Sequence, residues 1–370
     1  MSPFAWSRVE NIDEVDSPAL LIYPDRAVEN IRRMIAIAGT PARLRPHIKT
    51  HKLAELIREQ IALGITRYKC ATIAEAEMAA GAGASDVLLA YPPVGPKASR
   101  LVALIGRFPR TRFSALIDDA EVLHTLSKTA RDTGVEMGVM LDIDCGQHRT
   151  GRPAGDAAVT LYRMMSTLPG LRAEGLHAYD GHIHDSDPVV RAEKCEAAFA
   201  PVEKLRNQLL GMNLPVPRLV AGGTPTFPIH ARRHDVECSP GTCVLWDHGY
   251  QSRLPDLDFL IAALVLTRVI SRPGSNLLCI DLGHKAIASE NPHPRVYFPS
   301  MPEAVAVAHS EEHLVIESPR AGEFKIGDVL YGIPWHVCPT VALHGEAVVI
   351  QEGRATSRWR VSARERQLSV

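Results

Sequence analysis

Short runs of extended, mostly apolar character alternate along much of the chain with longer stretches whose apolar positions recur at helical spacing. From about residue 43 to 242 the extended runs are RLRPHI (43–48), ITRYKCA (65–71), DVLLAY (86–91), RFSALI (112–117), EMGVMLDI (136–143), RAEGLHAY (172–179), VPRLVAG (216–222) and HDVECS (234–239). Between most of them lie alanine- and leucine-rich segments of helical period, among them KLAELIREQIALG (52–64), IAEAEMAAGAG (73–83) and VVRAEKCEAAFAPVEKLRNQLLGM (189–212). Eight strands with interposed helices predict an α/β fold, a (β/α)8 TIM-type barrel. The seventh crossover, TPTFPIHARR (224–233), holds two prolines and leaves room for little helix.

After residue 250 the texture becomes strand- and turn-rich: LIAALVLTRVI (260–270), NLLCIDLG (276–283), AVAVAHS (304–310), HLVIES (313–318), DVLYGIP (328–334) and EAVVI (346–350). Strands at this spacing without long helices predict a separate C-terminal β-domain. The division expected is a barrel over 20–250 and a β-domain over 251–370 together with 1–19. The strand-like SPALLIY (17–23) fits either body.

Composition narrows the class. At 370 residues, 46% hydrophobic and 22% charged, the chain can bury a large core and a smaller one. Lys+Arg 41 against Asp+Glu 42 gives a formal charge of -1, which points away from nucleic acid and acidic membrane surfaces and towards a small-molecule partner. The start, MSPFAWSRVE, lacks a secretory pattern, and the apolar run FLIAALVL (259–266) is too short to span a bilayer. Seven cysteines without a C-x-x-C pair predict a reducing, cytoplasmic setting.

The candidate chemistry centres on RPHIKTHK (45–52). Lys49 ends an alternating run, with His47 and His51 two positions to either side and Lys52 close by. Like charges and partial burial both disfavour a protonated amine, and a neutral lysine is a nucleophile suited to forming a Schiff base. A lysine is more commonly a solvated charge, so the other strand ends must support this reading. Barrels of this type place chemistry at the C-terminal strand ends, often with a phosphate held by the loops after strands seven and eight. Those loops here read AGGTPT (221–226) and SPGT (239–242), whose glycines let backbone N–H groups approach an anion. DIDCGQHRTG (142–151) brings Arg149 after strand five, and HAYDGHIHD (177–185) brings Tyr179, His182 and His184 after strand six. In PWHVCPT (334–340), His336 and Cys338 stand at i and i+2; on a strand they would share a face and could share a metal with open coordination positions.

Together these segments resemble the pyridoxal-phosphate (PLP) enzymes built on the alanine-racemase-type barrel, and within them the D-threonine aldolase and D-serine dehydratase branch. The resemblance runs from SPALLIY to HVCPT. It implies that Lys49 carries the cofactor as a Schiff base, that Arg149 faces the pyridine nitrogen, that Tyr179 lies beside the ring, and that Gly222, Gly223, Thr224, Gly241 and Thr242 cradle the phosphate. It further implies a divalent metal on His336 and Cys338, zinc before manganese or magnesium, and a homodimer with the barrel of one subunit facing the β-domain of the other. Two departures stand out. Aldolases of this branch often have aspartate where Cys338 stands, whereas the dehydratases have cysteine, and Cys243 replaces a tyrosine that commonly follows Pro-Gly-Thr.

The activity implied is a PLP- and metal-dependent lyase on small D-β-hydroxy-α-amino acids. Retro-aldol cleavage to glycine and an aldehyde is ranked first, and D-serine or D-3-hydroxyaspartate dehydration to a 2-oxo acid and ammonia second. Lys49, His182 and His184 are the candidate proton carriers. Racemisation and non-catalytic PLP binding are the remaining alternatives.

Overall fold

The computed structural model describes residues 4–370. Two compact units are distinguished, one of residues up to 31, 50–56 and 242–364, the other of residues 32–49, 57–241 and 365–370. The chain enters through β1 (Ala19–Ile22) and α1 (Pro24–Ala38).

The second unit is the barrel. Its elements in order are α2 (Ala54–Ala62), β2 (Arg67–Cys70), α3 (Ile73–Gly81), β3 (Asp86–Leu89), α4 (Pro96–Arg107), β4 (Arg112–Ile117), α5 (Ala120–Thr133), β5 (Met137–Asp144), β6 (Arg152–Pro153), α6 (Asp156–Thr167), β7 (Leu171–Ala178), α7 (Pro188–Gly211), β8 (Arg218–Ala221), α8 (Phe227–His230) and β9 (Glu237–Cys238). Local chemistry starts and stops these helices. Thr72 accepts the Glu75 amide at the start of α3 while the Glu75 carboxylate reaches back to Ala71 N. Asp119 and Asp187 cap α5 and α7, and Gly134, at φ 69°, ends α5 in a left-handed turn. The seventh crossover is only the four-residue α8, as its prolines predict.

The parallel strands run in the order β2-β3-β4-β5-β7-β8-β9. The first barrel strand, expected over 43–48, makes only isolated bridges, Leu44 to Cys238 of β9 and His47 to Lys69 of β2. Those two bridges close the barrel.

Alternation along the strands sorts the interior by height. At the strand starts, Arg45 is fully buried and pairs with Asp86 at 2.6 Å and Glu237 at 2.7 Å, while Arg218 reaches Asp86 at 2.6 Å and Arg112 reaches Glu174 at 2.8 Å. Two positions on, Leu88, Leu116, Met140 and Val220 form an apolar layer. Two positions further still on β5, Asp142 is polar again, and on β2 Lys69 stands two positions beyond Arg67. On β7 the period is reset by a bulge at Gly175, whose φ is +124° and whose added Cβ would fall 1.9 Å from the Arg218 carbonyl oxygen. The bulge lets Glu174 join the charged floor while His177, three residues on, faces the polar top.

The first unit is a twisted, largely antiparallel sheet. It contains β1, α9 (His248–Arg253), β10 (Ala263–Gly274), β11 (Leu277–Ile280), β12 (Val296–Tyr297), β13 (Val305–His309), β14 (Leu314–Glu317), β15 (Val329–Pro334), α10 (Val337–Leu343), β16 (Glu346–Gln351) and β17 (Arg354–Arg360). The strand order is β13-β14-β11-β10-β1-β16-β17, with β15 pairing β10 and β12. SPALLIY therefore belongs to this sheet, as β1 between β10 and β16. Its core is aliphatic, built from residues such as Val265, Val269, Leu278, Ile280 and Ile316. Among the described residues no helix is long and apolar enough to cross a membrane.

Candidate active site

At the polar top of the barrel lies a partly open cavity lined among others by Lys49, Lys69, Asp142, Arg149, His177 and Tyr179. The Lys49 side chain has no hydrogen-bond or ion-pair partner among the described residues, and its backbone N–H donates to His47 Nδ1 at 3.3 Å. An unpaired amine in a cavity wall is poised to take a ligand.

The loop after β5 is folded by two aspartates. Asp144 accepts the amides of Gly146 and His148, and Asp142 Oδ2 accepts the Thr150 hydroxyl at 2.8 Å. Gly151, at φ +97°, donates to Asp118, and any Cβ there would lie 2.7 Å from Asp144 N. The turn so formed sets the Arg149 guanidinium 5.1 Å from the centre of the Tyr179 ring, and the Lys69 ammonium sits 5.4 Å from the same ring.

Three residues in this cavity escaped the sequence reading. Lys69 is 2% exposed, and Nζ has one side-chain hydrogen-bond partner among the described residues, His177 Nε2 at 3.5 Å. His177 Nδ1 donates to Asp142 Oδ1 at 2.7 Å. Burial, with repulsion from Lys49 next, pushes Lys69 down to about 7 against the pull of Asp142 and Asp180. Burial likewise lowers His177, so its Nε2 is a free acceptor facing the amine. Burial works to raise Asp142, but its bond to His177 wins and holds it below the usual carboxylate range.

The loops expected to cradle an anion are brought together. Thr224 Oγ1 accepts the Gly241 amide at 3.1 Å, and Thr226 Oγ1 accepts the Gly223 amide at 3.2 Å. Gly222 has φ +82°, and a Cβ there would lie 2.6 Å from His230; one on Gly223 would lie 3.0 Å from the Tyr179 ring. Behind the loop, Asp180 bonds Thr226 and His230 at 2.8 Å each, with Cys195 Sγ 3.4 Å from His230. Asp180, Cys195 and His230 are close enough to share an ion. Arg233 donates to His230 Nδ1 at 3.2 Å, however, and its charge beside the group disfavours a cation. The cluster anchors the glycine loop to the segment bearing Tyr179. Thr242, next after Gly241, opens a short turn (Thr242–Val244) in the other unit.

His182 and His184 are both exposed, and neither lines the cavity. His182 packs over Gly146. The repulsion expected from His51 also fails: burial pushes that imidazole down to about 3, so it is uncharged at neutral pH. Lys69 supplies a neighbouring amine instead.

In the β-rich unit, the strand expected through HVCPT is replaced by a helix. Strand β15 stops at Pro334, His336 is the N-cap of α10, and Pro339 falls in the first turn, where no helical N–H is needed. The pairing survives this change of conformation. Burial alone would lower His336, but hydrogen bonding to Cys338 and then Glu290 raises it to about 9. Glu290 Oε1 is 2.5 Å from His336 Nδ1, which leaves Nε2 for another ligand. Asp247 accepts the amide of Val337, the residue between the pair, at 3.0 Å. The Cys338 thiol donates to Thr50 Oγ1 at 3.2 Å and lies 3.6 Å from Thr242 Oγ1.

Fold and cavity define a class: a parallel barrel with a lysine at the end of its first strand and a glycine cradle two loops away. Residues 22–247 match the family model "Alanine racemase, N-terminal domain", and residues 262–350 match a serine dehydratase domain. The chain belongs to the alanine-racemase-type barrel family, and within it to the branch that holds the D-threonine aldolases and the D-serine dehydratases. It is 30% identical to the D-threonine aldolase of Arthrobacter sp over 95% of this chain and 93% of that one. To the 3-hydroxy-D-aspartate aldolase of Paracoccus denitrificans (strain Pd 1222) it is 29% identical, over 95% and 92%. The crystal structure of D-threonine aldolase from Filomicrobium marinum superposes with a TM-score of 0.89 at 28% identity, covering 95% of this chain and 96% of that one.

Proposed function

We propose that this protein is a PLP-dependent lyase of D-β-hydroxy-α-amino acids, cleaving the Cα–Cβ bond to give glycine and an aldehyde. The observation that carries the reading is the Lys49 amine in the cavity wall, without a side-chain partner among the described residues, in a chain 30% identical to a D-threonine aldolase. Lys49 would hold the aldehyde carbon of PLP, with Arg149 and Tyr179 of the cavity wall at its ring; the Gly222–Thr224 loop and Gly241, beside Tyr179 and outside that lining, would hold its phosphate. Bound there, PLP supplies an electron sink for the pair released at Cα. A guanidinium has no acceptor atom, so Arg149 can only donate to a ring nitrogen. Lys49 would also be the amine that moves a proton at Cα.

His336 and Cys338 would hold a divalent metal, with a thiol and an imidazole favouring zinc over manganese or magnesium. Such an ion supplies Lewis acidity suited to a β-hydroxyl. Cys338, together with the serine dehydratase domain match over 262–350, favours a second reading in which water is eliminated from D-serine or D-3-hydroxyaspartate.

Incubation with D-threonine, D-serine and D-3-hydroxyaspartate, with glycine and ammonia both assayed, separates the readings. Glycine is the expected product from D-threonine. Ammonia without glycine replaces the aldolase reading with the dehydratase one. Chelation is expected to remove at least nine-tenths of turnover; full activity after chelation supports racemisation, and PLP uptake without turnover a binding role.

A further inference from the structure

Lys49 accounts for one of two amines in the cavity. The other, on Lys69, has the setting of an activated group: an amine, an imidazole nitrogen 3.5 Å away, and an aspartate 2.7 Å behind the imidazole. Thr150 occupies the second oxygen of that aspartate, so the chain Lys69, His177, Asp142 is fixed in order and tautomer. A lysine this deeply buried normally faces a carboxylate, whereas here Nζ has only a neutral acceptor among the described residues. The charges that bear on it are Lys49, Asp142, Asp180 and Arg45, with Arg149 acting on His177.

We propose that Lys69 is a catalytic residue: it takes the proton that the incoming amino acid must shed before its amine can displace Lys49, with His177 and Asp142 as positioning residues. This rests on Lys49 carrying PLP. An α-amino acid arrives at neutral pH as an ammonium, which has no lone pair and cannot attack. The neutral Lys69 amine accepts one proton, giving a free substrate amine and a Lys69 ammonium. Exchange then consumes one neutral amine and releases another, that of Lys49, leaving total charge unchanged. When product departs, its amine recovers the proton from Lys69 and leaves as an ammonium. The cycle needs no other proton source.

Two measurements on the full chain test this. In the PLP-free protein labelled with [ε-13C]lysine, the resonance missing from Lys69→Met is expected to titrate near neutrality while surface lysines titrate above about pH 10. A Lys69 resonance titrating above about 9.5 overturns the proposal. In the PLP-loaded protein, mixing with D-alanine, which can exchange but has no β-hydroxyl, is followed by the change in cofactor absorbance. The wild-type exchange rate is expected to rise with pH to a plateau above an inflection near neutrality. In Lys69→Met the rate at pH 7.5 is expected to fall by about 100-fold, to lose that inflection, and to recover at least tenfold with added methylamine. Borohydride trapping is expected to find PLP still on Lys49 in the variant. A wild-type rate with no inflection between roughly pH 6 and 8 overturns the proposal without recourse to any variant. So does a variant within threefold of wild type, one that methylamine does not rescue, or one that no longer loads Lys49. Because D-alanine cannot be cleaved, a failed lyase assignment leaves this exchange readable and is told apart from a failed role for Lys69.

Discussion

Asp142 offers the sharpest test at the level of single residues. As a carboxylate it can only accept, so it holds the proton on His177 Nδ1 and turns an acceptor towards Lys69. Asp142→Asn can present an N–H there, which favours the opposite tautomer and sets two donors face to face. We expect kcat/KM to fall roughly 10- to 100-fold with melting temperature little changed, measured by steady-state kinetics and thermal unfolding. An unchanged kcat/KM would mean that the tautomer is irrelevant. Lys49 was legible in the sequence because it sits in a cluster of basic residues at a strand end. Lys69 was not, since Arg-Tyr-Lys reads as an ordinary surface strand until register is known. The usable signal was alternation: Arg45, His47 and Lys49 share parity on one strand, as do Arg67 and Lys69 on its neighbour, and the His47 to Lys69 bridge aligns them. His182 and His184 drew notice by residue type alone, and nothing in their spacing distinguishes an exposed imidazole from one in a cavity.

Elements show where pattern suffices and where it does not. The RFSALI run coincides with β4 (Arg112–Ile117), whereas HDVECS yields only the two-residue β9 (Glu237–Cys238), because a barrel strand can close with few ladder bonds. The helix at HVCPT was hidden by its proline, which breaks a helix interior but suits a first turn. Gly175 makes the bulge on which the height of His177 depends. Gly175→Ala, with φ at +124° and a Cβ at 1.9 Å from a carbonyl oxygen, is expected to destabilise by at least about 2 kcal/mol in urea unfolding. A neutral effect would show that the bulge relaxes freely. The charged floor should also register in stability. Removing one partner with Asp86→Ala leaves buried Arg45 with Glu237 as its one carboxylate partner among the described residues and should cost roughly 3–5 kcal/mol. Burial works to raise Asp86, but Arg45 and Arg218 overcome it and hold that carboxyl below its ordinary range. Its contribution is therefore present above the unfolded carboxylate pKa and lost as pH falls through the lower folded one. Urea midpoints should decline with acid in wild type and more shallowly in the variant.

For the molecule as a whole, a near-neutral net charge and a barrel cavity walled by a lysine without a side-chain partner among the described residues agree with one another and with the family to which the chain belongs. Resemblance also implies a homodimer, and sedimentation equilibrium is expected to give twice the mass of one chain. What the sequence did not reveal was the second amine, since finding it depends on a closed barrel bringing residues 49, 69, 142 and 177 into one cavity lining. The most direct measurement is borohydride reduction of the PLP-loaded wild type followed by peptide mapping. The expected result is a single pyridoxyl adduct on Lys49, absent from Lys49→Ala. An adduct on Lys69 in the wild type, or none on either lysine, would contradict the assignment of Lys49 as the residue that captures the cofactor.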